Sequence, residues 1–167
     1  KIKFSVNTGF LVNRYPSPDQ WCLIIKELQV KNIQITADLF NPYYPDHILD
    51  EQVQSINQMS NKFGFNVYSA FTGAFTRVNH FCHPDEKVRE YWLEWFTKFA
   101  KYTSKLGAKR IGSHIGILSI PDNLNSRSIF QSRCIEYWKR LSSIAKGFGF
   151  KELSWEHMSI SREQGHT

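Results

Sequence analysis

The chain is 167 residues long, 41% apolar, 15% aromatic and 22% charged, with 21 Lys and Arg against 15 Asp and Glu, a net charge of +6. That mixture excludes intrinsic disorder and collagen-like repeats, and no apolar run approaches the ~18 residues of a membrane span. At ~150 residues per domain the length alone predicts one domain, and a start on Lys1 with neither Met nor a secretory apolar stretch predicts that a segment upstream was removed.

The first strand signal is residues 2–7, Ile-Lys-Phe-Ser-Val-Asn, which alternates apolar and polar. A loop over 8–16 follows. Ser17-Pro18-Asp19-Gln20 then reads as a helix start: Ser17 caps, Pro18 suits the first helical position and Gln20 completes a capping box. Trp21, Ile24, Ile25 and Leu28 recur at helical spacing. Residues 32–38 form a second strand rich in β-branched side chains. After a loop with Pro42 and Pro45, a helix runs from Asp46 through Leu49, Val53 and Ile56 to near Gly64. A third strand spans 65–71, and its loop carries Gly73, His80 and His83. The next helix opens at Pro84-Asp85-Glu86, with acids at the positive end of its dipole, and runs to Gly107. Its stripe of Tyr91, Trp92, Trp95, Phe96 and Phe99 reads as helix-to-sheet packing rather than a base-stacking platform. A fourth strand at 110–116, a polar loop, a helix from about Ser126 to Gly147 and a fifth strand at 152–158 complete the pattern.

Alternating strands and helices predict parallel pairing through right-handed crossovers. Units of roughly 30 to 45 residues suit a TIM barrel or a doubly wound sheet. The helix-to-strand link recurs as Lys62-Phe63-Gly64-Phe65, Lys105-Leu106-Gly107-Ala108 and Lys146-Gly147-Phe148-Gly149, which favours a barrel of equivalent units. A doubly wound nucleotide fold would also need a Gly-rich phosphate loop after the first strand, and Asn7-Thr8-Gly9-Phe10-Leu11 is not one. The expected fold is therefore an α/β (β/α)8 TIM barrel, of which this chain supplies about the first five strands and four helices.

In such a barrel the active site lies at the C-terminal ends of the strands. Those ends carry Asn7, Asp38, residues 69–72, His114, and Glu156 followed by His157. Glu156 reads as a carboxylate in an otherwise buried strand, which is costly unless paired. It is either a metal ligand or general acid/base, or a strand-end or ion-paired Glu. His114 is a satisfied core imidazole, a metal ligand, or a donor to a substrate hydroxyl. Asp38 either orients a ligand or begins a turn before Asn41-Pro42. His80, His83, His157 and His166 are scattered, with no compact zinc spacing. Cys22, Cys82 and Cys134 are far apart and odd in number, which predicts reduced, structural thiols in a cytoplasmic protein. The basic excess reads as solvated helix faces, or as attraction to a phosphorylated metabolite or nucleic acid.

Leu153-Ser154-Trp155-Glu156-His157-Met158-Ser159-Ile160-Ser161-Arg162-Glu163, with Arg110-Ile111-Gly112-Ser113-His114-Ile115-Gly116 before it, resembles the xylose-isomerase-like TIM-barrel superfamily. That group holds sugar and sugar-phosphate isomerases and epimerases, and the endonuclease IV type of DNA-repair nuclease. The resemblance covers the chain by strand order and is motif-specific at strands four and five. Its Trp-Glu-x-Met-Ser-x-x-Arg-Glu stretch looks most like the sugar-phosphate branch. The resemblance implies that Glu156 binds a divalent metal (Mn, Mg, Co or Zn) and exchanges a proton with the substrate carbon. It implies that His114 lines the site, or binds metal in the nuclease branch, and that Arg162 holds a hydroxyl or phosphate. With Asn7 and Asp38 these make up the expected substrate-binding set. The nuclease branch places a His at the end of strand three, where this chain has Ser69-Ala70-Phe71-Thr72. The sugar branch takes an acid, a His and a second Glu from strands six to eight, which have no counterpart here.

The first functional expectation is a metal-assisted isomerase or epimerase of a ketose or ketose phosphate. The alternatives are a metal-dependent nuclease acting on abasic DNA and a non-catalytic sugar-binding barrel fragment. The expected partner is a small sugar or sugar phosphate, without nucleic acid or membrane; a homo-oligomer is left open. Five strands and four helices make about five-eighths of a barrel that typically needs ~250 residues. Residues 1–167 are therefore expected to be the N-terminal portion of a single TIM-barrel domain.

Overall fold

A computed structural model of the chain describes residues 4–156. Its strands are β1 (Val6–Asn7), β2 (Asn32–Thr36), β3 (Asn66–Phe71), β4 (Arg110–His114) and β5 (Glu152–Glu156). All are parallel, in the order β1-β2-β3-β4-β5. Each strand therefore lies beside its neighbour in sequence, the order of a barrel wall. A doubly wound sheet would reverse its winding part-way across. The helices are α1 (Pro18–Glu27), α2 (Asp46–Phe63), α3 (Glu86–Lys105), α4 (Ile120–Asn125) and α5 (Arg127–Gly147).

Local chemistry sets the helix starts. Gln20 Oε1 accepts from the Ser17 backbone N–H at 3.5 Å, and the Asp85 carboxylate accepts from the Lys87 N–H at 2.9 Å. The short α4 occupies what reads as a polar loop; Ser119 caps it by accepting from the Asp122 N–H at 3.2 Å. Two further loops are wound into 3-10 turns that the sequence reading leaves as coil, Thr8–Leu11 and Gly73–Thr76. A third such turn is His80–Cys82.

The helix ends repeat one device. Gly64, Gly107 and Gly149 adopt φ of 73°, 88° and 84°, and Gln29 adopts 53°. The next N–H then reaches back to the carbonyl five residues earlier: Val30 to Ile25, Phe65 to Ser60, Ala108 to Thr103 and Phe150 to Ala145. The quasi-repeat is therefore real and has a fourth copy at Gln29. In the last copy the turning glycine is Gly149, while Gly147 stays in the helix. Gln29 alone of the four carries a Cβ in the left-handed region, which costs about 1 kcal/mol. Gln29→Gly is expected to raise unfolding stability by up to about 1 kcal/mol, read as a shift in urea midpoint at constant slope.

The core joins Ile33, Ile35, Val67, Ala70 and Ile111 of the sheet to Trp21, Ile25, Leu49, Ile56, Phe96 and Phe99 of the helices. The expected aromatic stripe of α3 does pack inward, except Tyr91, which is exposed. Cys22, Cys82 and Cys134 are free and buried; burial raises the Cys22 thiol to about 12. Among the described residues no helix is long and apolar enough to cross a membrane. The sequence reading of β5 as a buried strand is corrected. Glu152, Ser154, Trp155 and Glu156 are exposed and Leu153 is half-buried, because β5 is an edge of the described sheet.

Candidate active site

β4 and β5 end side by side, with His114 opposite Glu156 in register and the Ile115 N–H donating to the Glu156 carbonyl at 3.3 Å. Two residues earlier Gly112 keeps the strands' side chains close. A Cβ there would stand 2.6 Å from Ser154 Oγ and 3.0 Å from the Phe71 ring. The Phe71 ring meets His114 edge-on at 5.3 Å. His114 is 2% exposed, whereas Glu156 is open to solvent.

His114 Nε2 accepts from Arg77 Nε at 3.3 Å. An accepting Nε2 places the proton of the neutral ring on Nδ1, which has no partner among the described residues. Burial lowers the His114 pKa; Glu156 and Asp38 raise it and Arg77 lowers it, and the net direction is down. His114 is thus a neutral, hydrogen-bonded core imidazole at the site floor.

Arg77 comes from the loop after β3, which is tied down on two sides. Both Asp38 carboxylate oxygens accept from the Ala74 N–H at 3.1 Å. Below it, Thr72 Oγ1 lies 2.5 Å from Thr76 Oγ1 and donates to Ser113 Oγ at 2.8 Å. Gly73 makes the turn feasible: at φ 67° it tolerates the fold, and a Cβ there would stand 1.7 Å from Asp38 Oδ2.

The sequence candidates thus separate. Glu156 and His114 come together. Asp38 lies beyond the end of β2, and its carboxylate is engaged in pinning the β3 loop. Asn7 belongs to another row of the sheet. Its Oδ1 accepts from the Gly9 N–H at 2.7 Å and its Nδ2 donates to Gln34 Oε1 at 2.8 Å. Gln34 in turn donates to Ser69 Oγ at 3.3 Å. Arg162 lies outside the described residues. Arg77 was not among the sequence candidates, because a loop arginine outside any strand end carries no positional signal.

No group of three or more His, Cys, Asp or Glu side chains among the described residues is placed to hold a metal ion. The His114 acceptor is engaged by Arg77 and the Asp38 carboxylate by Ala74, which leaves Glu156 as the available ligand among the strand-end candidates described. These residues alone do not make a metal centre.

A second buried imidazole stands behind β4. His80, in the left-handed region at φ 30°, has Nδ1 accepting from the Phe81 N–H at 2.7 Å, and its Nε2 has no partner among the described residues. Burial pushes its pKa from 6.5 to about 3. Between those values the unfolded chain binds a proton that the folded chain does not. The His80 contribution to stability is therefore constant above pH 6.5 and falls as pH drops toward 3, by up to about 1.4 kcal/mol per pH unit. Melting temperatures measured from pH 7.5 down to pH 5 are expected to fall less steeply for His80→Gln than for the wild type.

A parallel wall in sequence order, with an open carboxylate and a buried imidazole on adjacent strand ends, is the arrangement of part of a TIM-barrel wall. In sequence and fold the chain is similar to members of the xylose-isomerase-like TIM-barrel superfamily. D-erythrulose 1-phosphate 3-epimerase of Brucella abortus (strain 2308) is 32% identical over 169 residues, covering 99% of this chain and 54% of that protein. A crystal structure from Rhodospirillum rubrum that carries the xylose isomerase name superposes with a TM-score of 0.87 at 26% identity, over 98% of this chain and 56% of that one. D-psicose 3-epimerase of Clostridium cellulolyticum H10 shares the fold at a TM-score of 0.70 and 15% identity, over 90% of this chain and 51% of that one. No family model matches the chain. The chain spans about half the length of the curated relative it matches.

Proposed function

We propose that residues 1–167 are the N-terminal portion of a single TIM-barrel domain. Its activity is epimerisation or isomerisation of a ketose sugar or sugar phosphate. The observation that carries this reading is the pairing of Glu156 with His114 at the C-terminal ends of β5 and β4. The similarity to a sugar-phosphate epimerase along 99% of the chain supports it.

The chemistry follows from the residues. The Glu156 carboxylate removes the proton from the carbon beside the substrate carbonyl, and the electron pair flows onto the carbonyl oxygen to give an enediolate. Return of a proton to the opposite face of the same carbon gives the epimer; return to the former carbonyl carbon, with the hydroxyl proton passing from one enediolate oxygen to the other, gives the isomer. The returning acid is expected from outside the described residues. So are the other ligands of the divalent metal that the resemblance implies, with Glu156 as one of them. Such a metal supplies charge stabilisation at the substrate oxygens when bound. Neutral, buried His114 moves no proton in this scheme; it shapes the floor and holds Arg77.

The test is exchange of the carbon-bound hydrogen for deuterium. Full-length protein, with and without added Mn, is incubated in D2O with a ketose 1-phosphate and with its free ketose. Loss of the proton NMR signal of the carbon beside the carbonyl is expected. No exchange with any ketose or ketose phosphate would reject the reading.

A further inference from the structure

We infer that Arg77 is the residue that reads the substrate's phosphate group, and that the buried His114 serves to aim it. This deepens the sugar-phosphate reading and rests on it.

Three observations converge. Arg77 leaves a rigid turn, because the Asp38 carboxylate holds Ala74 and the Thr72–Thr76–Ser113 hydroxyls hold the turn to β4. The Arg77 N–H also closes that turn by donating to the Ala74 carbonyl at 3.1 Å. Its side chain is then fixed at one donor, Nε, by His114 Nε2, a ring 98% removed from solvent and unable to swing away. What remains is the opposite edge of the guanidinium. Its two terminal nitrogens have no acceptor among the described residues, and Arg77 is solvent-exposed on the face where Glu156 also opens.

A guanidinium anchored at Nε presents two parallel N–H vectors from its other edge, and that fork matches two oxygens of a phosphate. A lysine could supply the charge but not both the anchor and the fork. The acidic groups nearby are Asp38 and Glu156. Asp38 is engaged with Ala74, and Glu156 is placed across His114 on β5, where the reacting carbon would sit. A phosphate at Arg77 and a carbonyl near Glu156 would thus occupy opposite ends of one short sugar.

The experiment uses full-length protein and inorganic phosphate as the probe, with Arg77→Gln and Arg77→Lys. Both variants take the Nε donor away from buried His114, so a lower urea midpoint is expected, and the assays are run on preparations shown to be folded by urea titration. Calorimetric titration is expected to show phosphate affinity at least ~10-fold weaker in both. The ratio of kcat/KM for a ketose 1-phosphate to that for the free ketose is expected to fall by about 100-fold in both. Phosphate affinity within twofold of wild type would overturn the inference. So would an equal loss on both sugars with the ratio unchanged, which is the result for an arginine that only buttresses His114. If the wild type exchanges neither sugar, the epimerase reading fails on its own. The phosphate titration then still decides the role of Arg77: weakened binding in both variants supports it, and unchanged binding overturns it.

Discussion

Glu156→Gln is expected to lower carbon-bound proton exchange by about 1,000-fold, the middle of the range for removing a general base. The substitution keeps the side chain's size and removes its ability to take a proton. Because Gln has the shape of Glu and Glu156 makes no ion pair among the described residues, unfolding free energy is expected within about 0.5 kcal/mol of wild type. That combination separates chemistry from structure. Urea unfolding and deuterium exchange measured on the same preparation check it. A variant that kept more than half of the exchange rate would remove Glu156 from the mechanism. His114→Phe should behave in the opposite manner. It removes the Arg77 anchor from a buried position, so stability and substrate recognition should both suffer.

The largest stability effect is expected in the aromatic junction between α3 and α5. Phe96 is 1% exposed. Its ring lies 5.0 Å from Phe81, 5.3 Å from Trp95, 5.6 Å from His80 and 6.3 Å from Trp138, centroid to centroid. These four neighbouring rings, on three elements, cannot all move inward to fill the gap that Phe96 would leave. Phe96→Ala should therefore cost about 3–5 kcal/mol, the range for emptying a large buried ring site. Phe96→Leu, which keeps most of the volume, should cost roughly half that. If the urea midpoint of Phe96→Ala moved by less than the equivalent of about 1 kcal/mol, the junction would be looser than its geometry indicates.

The sequence reveals those features that are governed by local chemistry. Ser17-Pro18-Asp19-Gln20 and Asp85 mark their helix starts because capping is a contact between residues two or three apart. Gly64 and Gly107 mark their ends because a positive φ is a property of one residue. The strand order follows from the repetition of those marks. Other features depend on contacts across the fold. The openness of β5 depends on what lies beyond it in the sheet, so its apolar pattern misleads. Asp38 looks like a strand-end ligand, yet its carboxylate serves a backbone N–H 36 residues away. Arg77 acquires meaning only through His114, 37 residues on, and no local pattern announces that pair. Pairing of His114 with Glu156 was legible because both sit at strand ends of neighbouring units, where register brings them level.

The sequence order of the strands also bears on how the protein assembles. Cross-strand partners are separated by 27 residues from β1 to β2, 35 from β2 to β3 and 42 from β4 to β5. Closing the longest of these loops costs only about 0.4 kcal/mol more than closing the shortest, since the penalty grows with the logarithm of length. No strand must wait for a distant partner. The order of strands across the wall is the order in which a ribosome delivers them. Each strand after β1 lies beside the one that directly precedes it in the chain.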